Sequence, residues 1–489
     1  METRRSERGI HTVDRRDPGD RFVEPRIAHD LVFITNPEDA PMKTFALVTT
    51  GLALLASSAA AQPGNAAALR PANEAYDLVR DLTTLFGPRV AGSPSEAAAA
   101  QWGADRLRRY GFNPVSVEFF PLRRWSPGET HIERLGIAGQ PLVATALGGS
   151  VSGPAVEGEV MAFASYADFV SSDPGIVRGR IVAVLDPVSR TSDGSGYLSH
   201  TEIRYRGAGE ALKRGAVGFL MRSLSTSQDN VASSGATAPL PRPFPAFSLS
   251  PAAADQLARA VTAGQVRLRL RSTAGWGLEG RSQNVVATLP GSDPDASPII
   301  IGAHLDSWEQ GEGALDDGFG IGAVTLAAAR LLQSGKMPQH TIKLVWFGAE
   351  EVTQESPDSP NFIGARAYLA AHGDQVREAL FVAESDWGGG RILSVTVPTA
   401  IPAGTVDRLK SRLAPLFIPV RIGPPDPNVA EIGVLSQAGA PLVQLQQDAT
   451  ALFDIHHTPN DVLSRVDAAA LEQNVEAWTI VLEVLSGAD

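Results

Sequence analysis

Apolar residues along this chain gather into short unbroken runs in some stretches and a helical rhythm in others. Ser297-Pro-Ile-Ile-Ile-Gly and Thr341-Ile-Lys-Leu-Val-Trp-Phe are short, β-branched and without alternation, the pattern of strands buried on both faces. Phe381-Val-Ala is a third such run. Gly318 to Leu332 predicts a helix whose small residues permit close packing on a sheet, and Ile363 to His372 predicts another. Leu471 to Leu485 predicts a closing helix with Val475, Trp478, Leu482 and Leu485 inward. Near the start, Asn73 to Phe86 carries helical periodicity through Tyr76, Leu78, Val79, Leu82 and Leu85. Ser93 or Ser95 can cap a second helix, Glu96 to Tyr110, which Gly111 closes. Pro114 to Phe120 alternates as a strand, and Ser282 to Pro290 reads as another.

Between these halves, from about Pro127 to Gly280, the texture changes to glycine, proline and short strands. Gly179 to Asp186 predicts a strand, Arg206 to Met221 a helix running into a strand, and Pro251 to Ala263 an Ala-rich helix. Alternating strands and helices predict an α/β fold: a three-layer sandwich with a mainly parallel central sheet, interrupted by a smaller β-rich α/β insert. At 489 residues the chain exceeds one ordinary core. No repeat or coiled coil is visible.

The polar residues at the ends of the apolar runs carry the chemistry. His304-Leu-Asp306 follows the first run, then Asp316-Asp317; Glu350-Glu351 follows the second and Glu384-Ser-Asp386 the third. His456-His457-Thr-Pro-Asn-Asp461 lies further on. Any one acid here could be a turn residue or an N-cap, but core strands that end successively in unpaired carboxylates risk desolvation without return. In open α/β sheets such strand ends are where sites form. Imidazoles and carboxylates both bind zinc, and a two-metal site needs a bridging carboxylate with terminal ligands on each side. The chain has nine histidines, so two that meet the other segments at strand ends carry weight.

These residues resemble the co-catalytic dizinc exopeptidases, the family that includes bacterial leucyl aminopeptidases and plasma glutamate carboxypeptidase (carboxypeptidase Q). The resemblance rests on five motifs in order: His304-Leu-Asp-Ser-Trp, Gly313-Ala-Leu-Asp-Asp-Gly, Ala349-Glu-Glu, Glu384-Ser-Asp and His457-Thr-Pro-Asn-Asp. It is closest on the carboxypeptidase Q side and runs from about residue 73 to the C-terminus. It implies two zinc ions per chain: Asp316 bridges them, His304 and Asp386 complete one site, and Glu351 and His457 the other. Glu350 is then the general base that takes a proton from the bridging water and hands it to the leaving amine. Adjacent residues near a strand end point in different directions, so Glu350 and Glu351 can hold different roles. Asp306 resembles the carboxylate that orients the His304 imidazole, and Asp461 is a weaker candidate for such a role. The resemblance also implies a cis Asp316-Asp317 peptide, and a protease-associated domain for the insert. One position departs: where the family often shows an aspartate before Ala438-Gly-Ala-Pro441, this chain has Glu431. The implied substrates are short peptides, cut by an aminopeptidase or dipeptidase.

Composition narrows the rest. A net charge of −12 disfavours nucleic acid or an anionic membrane as partner. The absence of cysteine removes disulfides, thiolate nucleophiles and Cys-type zinc sites together. Met42 to Gln62 has a basic start, an apolar run and a small-residue cleavage site, the pattern of a secretory leader. The expected organisation is therefore residues 1–41 as a start-site artefact or disordered extension, 42–61 as signal peptide, 62–126 as the first part of the peptidase domain, 127–280 as the insert and 281–489 as the catalytic part. The mature protein is expected to be secreted or periplasmic, free of the membrane once the leader is cleaved. The oligomeric state is left open.

Other readings fit less well. Gly207-x-Gly209 continues to Leu212 rather than a third glycine, so it reads as a tight turn entering a helix rather than a dinucleotide fingerprint. No Gly-x-Ser-x-Gly elbow appears. His340 and His372 read as structural, and His456 either lines a pocket or bonds backbone. Two other classes stand as alternatives. A non-catalytic receptor-like or scaffold protein on a peptidase fold is disfavoured by retention of all five ligand-type residues and the base. A one-zinc glutaminyl-cyclase-like acyltransferase is disfavoured by His304 together with Asp316.

Overall fold

The computed structural model describes residues 73–136, 141–354, 361–425 and 430–489. The leader expected at 42–61 and the segment before it lie outside these residues. Helices α1 (Glu74–Phe86) and α2 (Pro94–Tyr110) lead into strand β1 (Val115–Ser126). Ser93 caps α2 by accepting the Glu96 N–H at 3.1 Å, while the Glu96 carboxyl reaches back to the Gly92 N–H at 2.7 Å. This reciprocal bonding satisfies amide donors that have no partner inside the helix. Left-handed Gly111 closes the same helix. Leu78, Val79 and Leu82 of α1 are buried as expected, but Leu85, in the last turn, is 61% exposed.

The chain then builds a second sheet from β2 (Thr130–Arg134), β3 (Ala144–Ala146), β4 (Val156–Phe163), β5 (Ile181–Val184), β6 (Gly218–Arg222), β7 (Ala246–Leu249) and β8 (Arg267–Ser272). Their order is β2-β8-β4-β5-β6-β7-β3. Four helices belong to this region: α3 (Tyr166–Ser171), α4 (Ser195–Leu198), α5 (Thr201–Lys213) and α6 (Pro251–Ala263). Gly207 sits inside α5 rather than in a turn before it, and its missing side chain admits the Phe219 ring.

The chain returns through β9 (Gly275–Leu289), β10 (Ile299–His304), α7 (Phe319–Gln333), β11 (Ile342–Phe347), α8 (Ile363–Arg377) and β12 (Phe381–Glu384). The central sheet runs β1-β9-β11-β10-β12. It is mixed rather than mainly parallel: β10 is parallel to β11 and β12, while β9 is antiparallel to both β11 and β1. The reason is the second sheet itself. The chain leaves along β1 and comes back along β9, so these two strands pair out and back. The three consecutive catalytic-half strands keep the parallel arrangement that crossover helices impose.

The last elements are β13 (Ile392–Val397), α9 (Ala403–Leu413), β14 (Val420–Ile422), α10 (Ala430–Gln437), β15 (Gln444–Gln447) and α11 (Ala468–Leu485). Ile299, Ile301 and Ala303 pack with α1, α7 and α11 on one face of the central sheet, and Ile300, Val345 and Phe347 pack with α8 and α10 on the other. Val475, Trp478, Leu482 and Leu485 of α11 are all buried. His340 bonds the Ser297 carbonyl at 2.7 Å and His372 pairs with Glu118 at 2.9 Å, so both serve the scaffold. Among the described residues no helix is long and apolar enough to cross a membrane.

Glu96 also bonds the Ser282 hydroxyl at 2.5 Å, and burial, helped by the charge of Asp306, pushes its carboxyl up to about 8. In the unfolded chain the same group ionises near 4.5. Its contribution to stability is therefore complete below that value and is lost as pH rises through about 8. Glu96→Gln, which cannot ionise, should lose less stability than wild type between pH 5 and 8, by more than about 1 kcal/mol in urea denaturation. Identical pH slopes for the two proteins would refute this.

Candidate metal centre and active-site pocket

The ligand-type residues stand where the three parallel strands end. His304 is the last residue of β10; Glu350 and Glu351 follow β11, and Asp386 follows β12. Asp316 and Asp317 form the irregular turn that opens α7, joined by a cis peptide bond as the family resemblance implied. His456 and His457 follow a short helical turn at Leu452–Asp454. The folded chain brings all of these segments together.

Asp316 is the centre of the cluster. Its Oδ1 lies 3.1 Å from His304 Nε2, and its Oδ2 lies 3.2 Å from His457 Nε2. His304 Nε2 is also 3.3 Å from Asp386 Oδ1, and His457 Nε2 is 3.0 Å from Glu351 Oε2. The two oxygens of one carboxylate thus face two separate donor sets, each an imidazole with a further acid. The His304, Asp316 and Asp386 donors fall within 4.8 Å of one another, as do those of Asp316, His456 and His457. Glu351 Oε1 is buried with no hydrogen-bond partner, the mark of a donor atom aimed at something other than protein. The residues present therefore fit a pair of metal ions.

A family model for Peptidase family M28 matches residues 284–481. The peptidase M28 precursor from Shewanella amazonensis is 32% identical, with a TM-score of 0.79, over 85% of this chain and 93% of that one. The chain belongs to peptidase family M28. With that membership it is a metallo-exopeptidase. Carboxypeptidase Q of Rattus norvegicus is 27% identical over 85% of each chain. A zinc aminopeptidase from Bacillus subtilis, 17% identical with a TM-score of 0.60 over 84% of this chain and 94% of that one, shares the fold.

What holds this M28 site in place was only partly legible beforehand. Asp306 was expected to orient His304 through its carboxylate. Instead the His304 Nδ1 lies 2.9 Å from the Asp306 backbone carbonyl, and the carboxylate is 3.8 Å away. That carboxylate accepts the backbone N–H groups of Glu350 at 3.0 Å and Glu351 at 3.3 Å. The turn after β11 presents its amides there because Ala349 takes a left-handed conformation. Asp306 thereby ties the end of β10 to the turn after β11. Asp461, the weaker candidate, has a larger part: it accepts the N–H groups of Ala314, Leu315 and Asp316 and fixes the loop that carries the central carboxylate. Asp317 accepts the His304 N–H at 3.1 Å and the Gly320 N–H at 2.9 Å.

Arg89 was missed. Its buried guanidinium donates to the carbonyls of Leu305, Glu312 and Gly313 at 2.6, 2.7 and 2.9 Å, bracing both loops behind the site. Gly313, at φ +61°, must lack a side chain because a Cβ would strike this guanidinium and Ser307. The only signal in the sequence was an arginine within the break before α2. Trp308 was named only as part of a motif, without a role; its Nε1–H donates to Glu351 Oε2 at 2.5 Å.

The electrostatics follow from burial. Burial, then the neighbouring Glu351 charge, holds the Glu350 carboxyl well above the usual glutamate range. Burial and the Asp316 charge do the same to Glu351. Burial acts to raise Asp316 too, but the imidazoles of His456, His304 and His457 overcome it and hold this carboxyl well below its ordinary value. His456, left open between two roles, points its Nε2 at Asp316 Oδ2 from 3.4 Å, stacks on His457 and lines the pocket. Glu431 on α10 sits within 4.8 Å of Glu350 and Asp386, its carboxylate buried and without a bonded partner. A cavity of about 440 Å³ opens over Asp316, Glu350, Glu351 and His457.

Asp461→Asn offers one acceptor oxygen where three amides now converge on two. Its zinc affinity, measured by competition with a chelator, should fall about 10- to 100-fold with the fold retained. Unchanged affinity would show that the loop holds its shape without this carboxylate.

Proposed function

We propose that this protein is a zinc-dependent exopeptidase that hydrolyses short peptides with two metal ions. The observation that carries the reading is the Asp316 carboxylate, whose oxygens face the His304–Asp386 pair on one side and the His457–Glu351 pair on the other. His304, Asp316 and Asp386 would hold one zinc, and Asp316, Glu351 and His457 the second. A metal pair supplies Lewis-acid polarisation of a carbonyl and acidifies water at neutral pH. The protein's residues supply the rest.

Glu350 is the proton carrier in this reading. Its backbone is fixed by Asp306, and its carboxyl lines the cavity beside the metal-type donors. From that position the carboxyl can take a proton from the attacking water and pass it to the departing amine. The cavity leaves space for a small peptide. We read the second sheet as a protease-associated insert that roofs the pocket, and the leader-like Met42–Ala61 as directing the protein to a secreted or periplasmic location. The acidic chain and the acid-lined cavity fit peptide substrates and not nucleic acid.

Glu350→Gln separates proton transfer from metal binding. It should retain about two zinc equivalents by metal analysis while kcat on aminoacyl and dipeptide substrates falls about 10²- to 10⁴-fold. A variant that hydrolyses peptides at the parental rate would remove Glu350 from this role. One zinc equivalent in both proteins would instead remove the two-metal assignment.

A further inference from the structure

The roof of the active-site cavity carries a cation that no carboxylate of the described residues pairs. Arg204, on α5 of the second sheet, lines the same cavity as Asp316, Glu350 and His457. Among the described residues no carboxylate lies within salt-bridge distance of it. Its neighbour on the helix, Arg206, is already paired with Glu202 at 3.1 Å. Arg204 Nη1 donates to the Tyr197 hydroxyl at 2.8 Å, and its Nε–H is buried with no acceptor at all. A buried donor on a charged group is costly to leave unmade, and a guanidinium fork matches a carboxylate in two parallel bonds.

The guanidinium is also held in place. It lies over the Tyr197 ring at 5.6 Å and fills the space left by Gly235, where a Cβ would come within 2.5 Å of Nη1. Tyr197 in turn stacks on Phe453 at 4.2 Å and meets the edge of His456 at 5.1 Å. His456 reaches Asp316 at 3.4 Å. The unpaired cation is thus linked to the reaction centre through two aromatic side chains. The Tyr197 phenol, pushed up to about 12 by burial, keeps its proton and remains a donor.

We infer that Arg204, braced by the Tyr197 hydroxyl, binds the free C-terminal carboxylate of the substrate and so makes the enzyme select peptides with a free C-terminus over C-terminally blocked ones. The inference rests on the exopeptidase reading above and sharpens it. The floor of the cavity is acidic and its roof carries one unpaired cation, an arrangement that suits a short zwitterion. The terminal carboxylate is the anion that every unblocked peptide carries, whatever its side chains. Arg204 is a specificity residue here and takes no part in proton transfer.

The test compares hydrolysis of an apolar dipeptide and its C-terminal amide by the zinc-loaded wild type, R204Q, R204K and Y197F. Wild type should favour the dipeptide over its amide by at least about 30-fold in kcat/KM, mostly through KM. R204Q should reduce this ratio to below about 3, R204K should retain part of it, and Y197F should lie between wild type and R204Q. Calorimetric binding of the dipeptide and its amide to E350Q and to E350Q/R204Q gives a readout independent of turnover, with the same ratios expected. Equal wild-type preference for dipeptide and amide would overturn the inference. So would a loss in R204Q that affects both substrates in proportion, which marks a structural role. If wild type cleaves no peptide, the exopeptidase reading fails, and the binding ratio still decides whether Arg204 holds a carboxylate.

Discussion

Acids packed into a dry pocket repel one another and give up their hydration, so such a cluster persists only where other groups compensate for both losses. Glu350, Glu351, Asp386 and Glu431 cluster with Asp316 at this site, and among the described residues the imidazoles of His304, His456 and His457 face the Asp316 carboxylate. The surrounding architecture answers that constraint. Backbone amides from three segments point at Asp306, Asp317 and Asp461, and the Arg89 guanidinium braces the carbonyls behind them. These groups fix where the carboxylates stand, while the unpartnered Glu351 Oε1 shows that protein groups do not satisfy the cluster completely. Metal ions are the natural remainder.

The sheet explains why the cluster can exist. Three adjacent parallel strands deliver their carboxyl ends to one edge, and each turn beyond them contributes a different donor. Antiparallel β1 and β9 supply no donor of this kind; they carry the chain out to the second sheet and back. Through that excursion Tyr197 and Arg204 arrive over a site whose donors come from later in the chain, from His304 onward. The floor sets the chemistry, and the roof sets which molecules reach it.

Family membership and geometry support different statements. M28 membership defines the reaction type. The placement of Arg89, Trp308 and Arg204 is a matter of this protein's geometry. Glu431, where the family often shows an aspartate, reaches toward Glu350 and Asp386, so the departure adjusts the pocket wall and leaves the donor set of Asp316 unaltered.

Local pattern made much of this readable in advance. Unbroken β-branched runs marked the buried strands, helical periodicity marked α1, α2, α7 and α11, and polar residues at strand ends marked the site segments, from which the family resemblance singled out His304, Asp316, Glu350, Glu351, Asp386 and His457. Those features are short-range: burial on both faces and loss of hydration leave their trace in consecutive residues. The mixed sheet, the exposed Leu85, the backbone-holding role of the Asp306 carboxylate, the contribution of Arg89 and the approach of Arg204 to the pocket had no such trace. Each depends on which distant backbone amide, carbonyl or carboxylate comes into reach, and that is fixed only when strand pairing and the return of β9 set the register between segments.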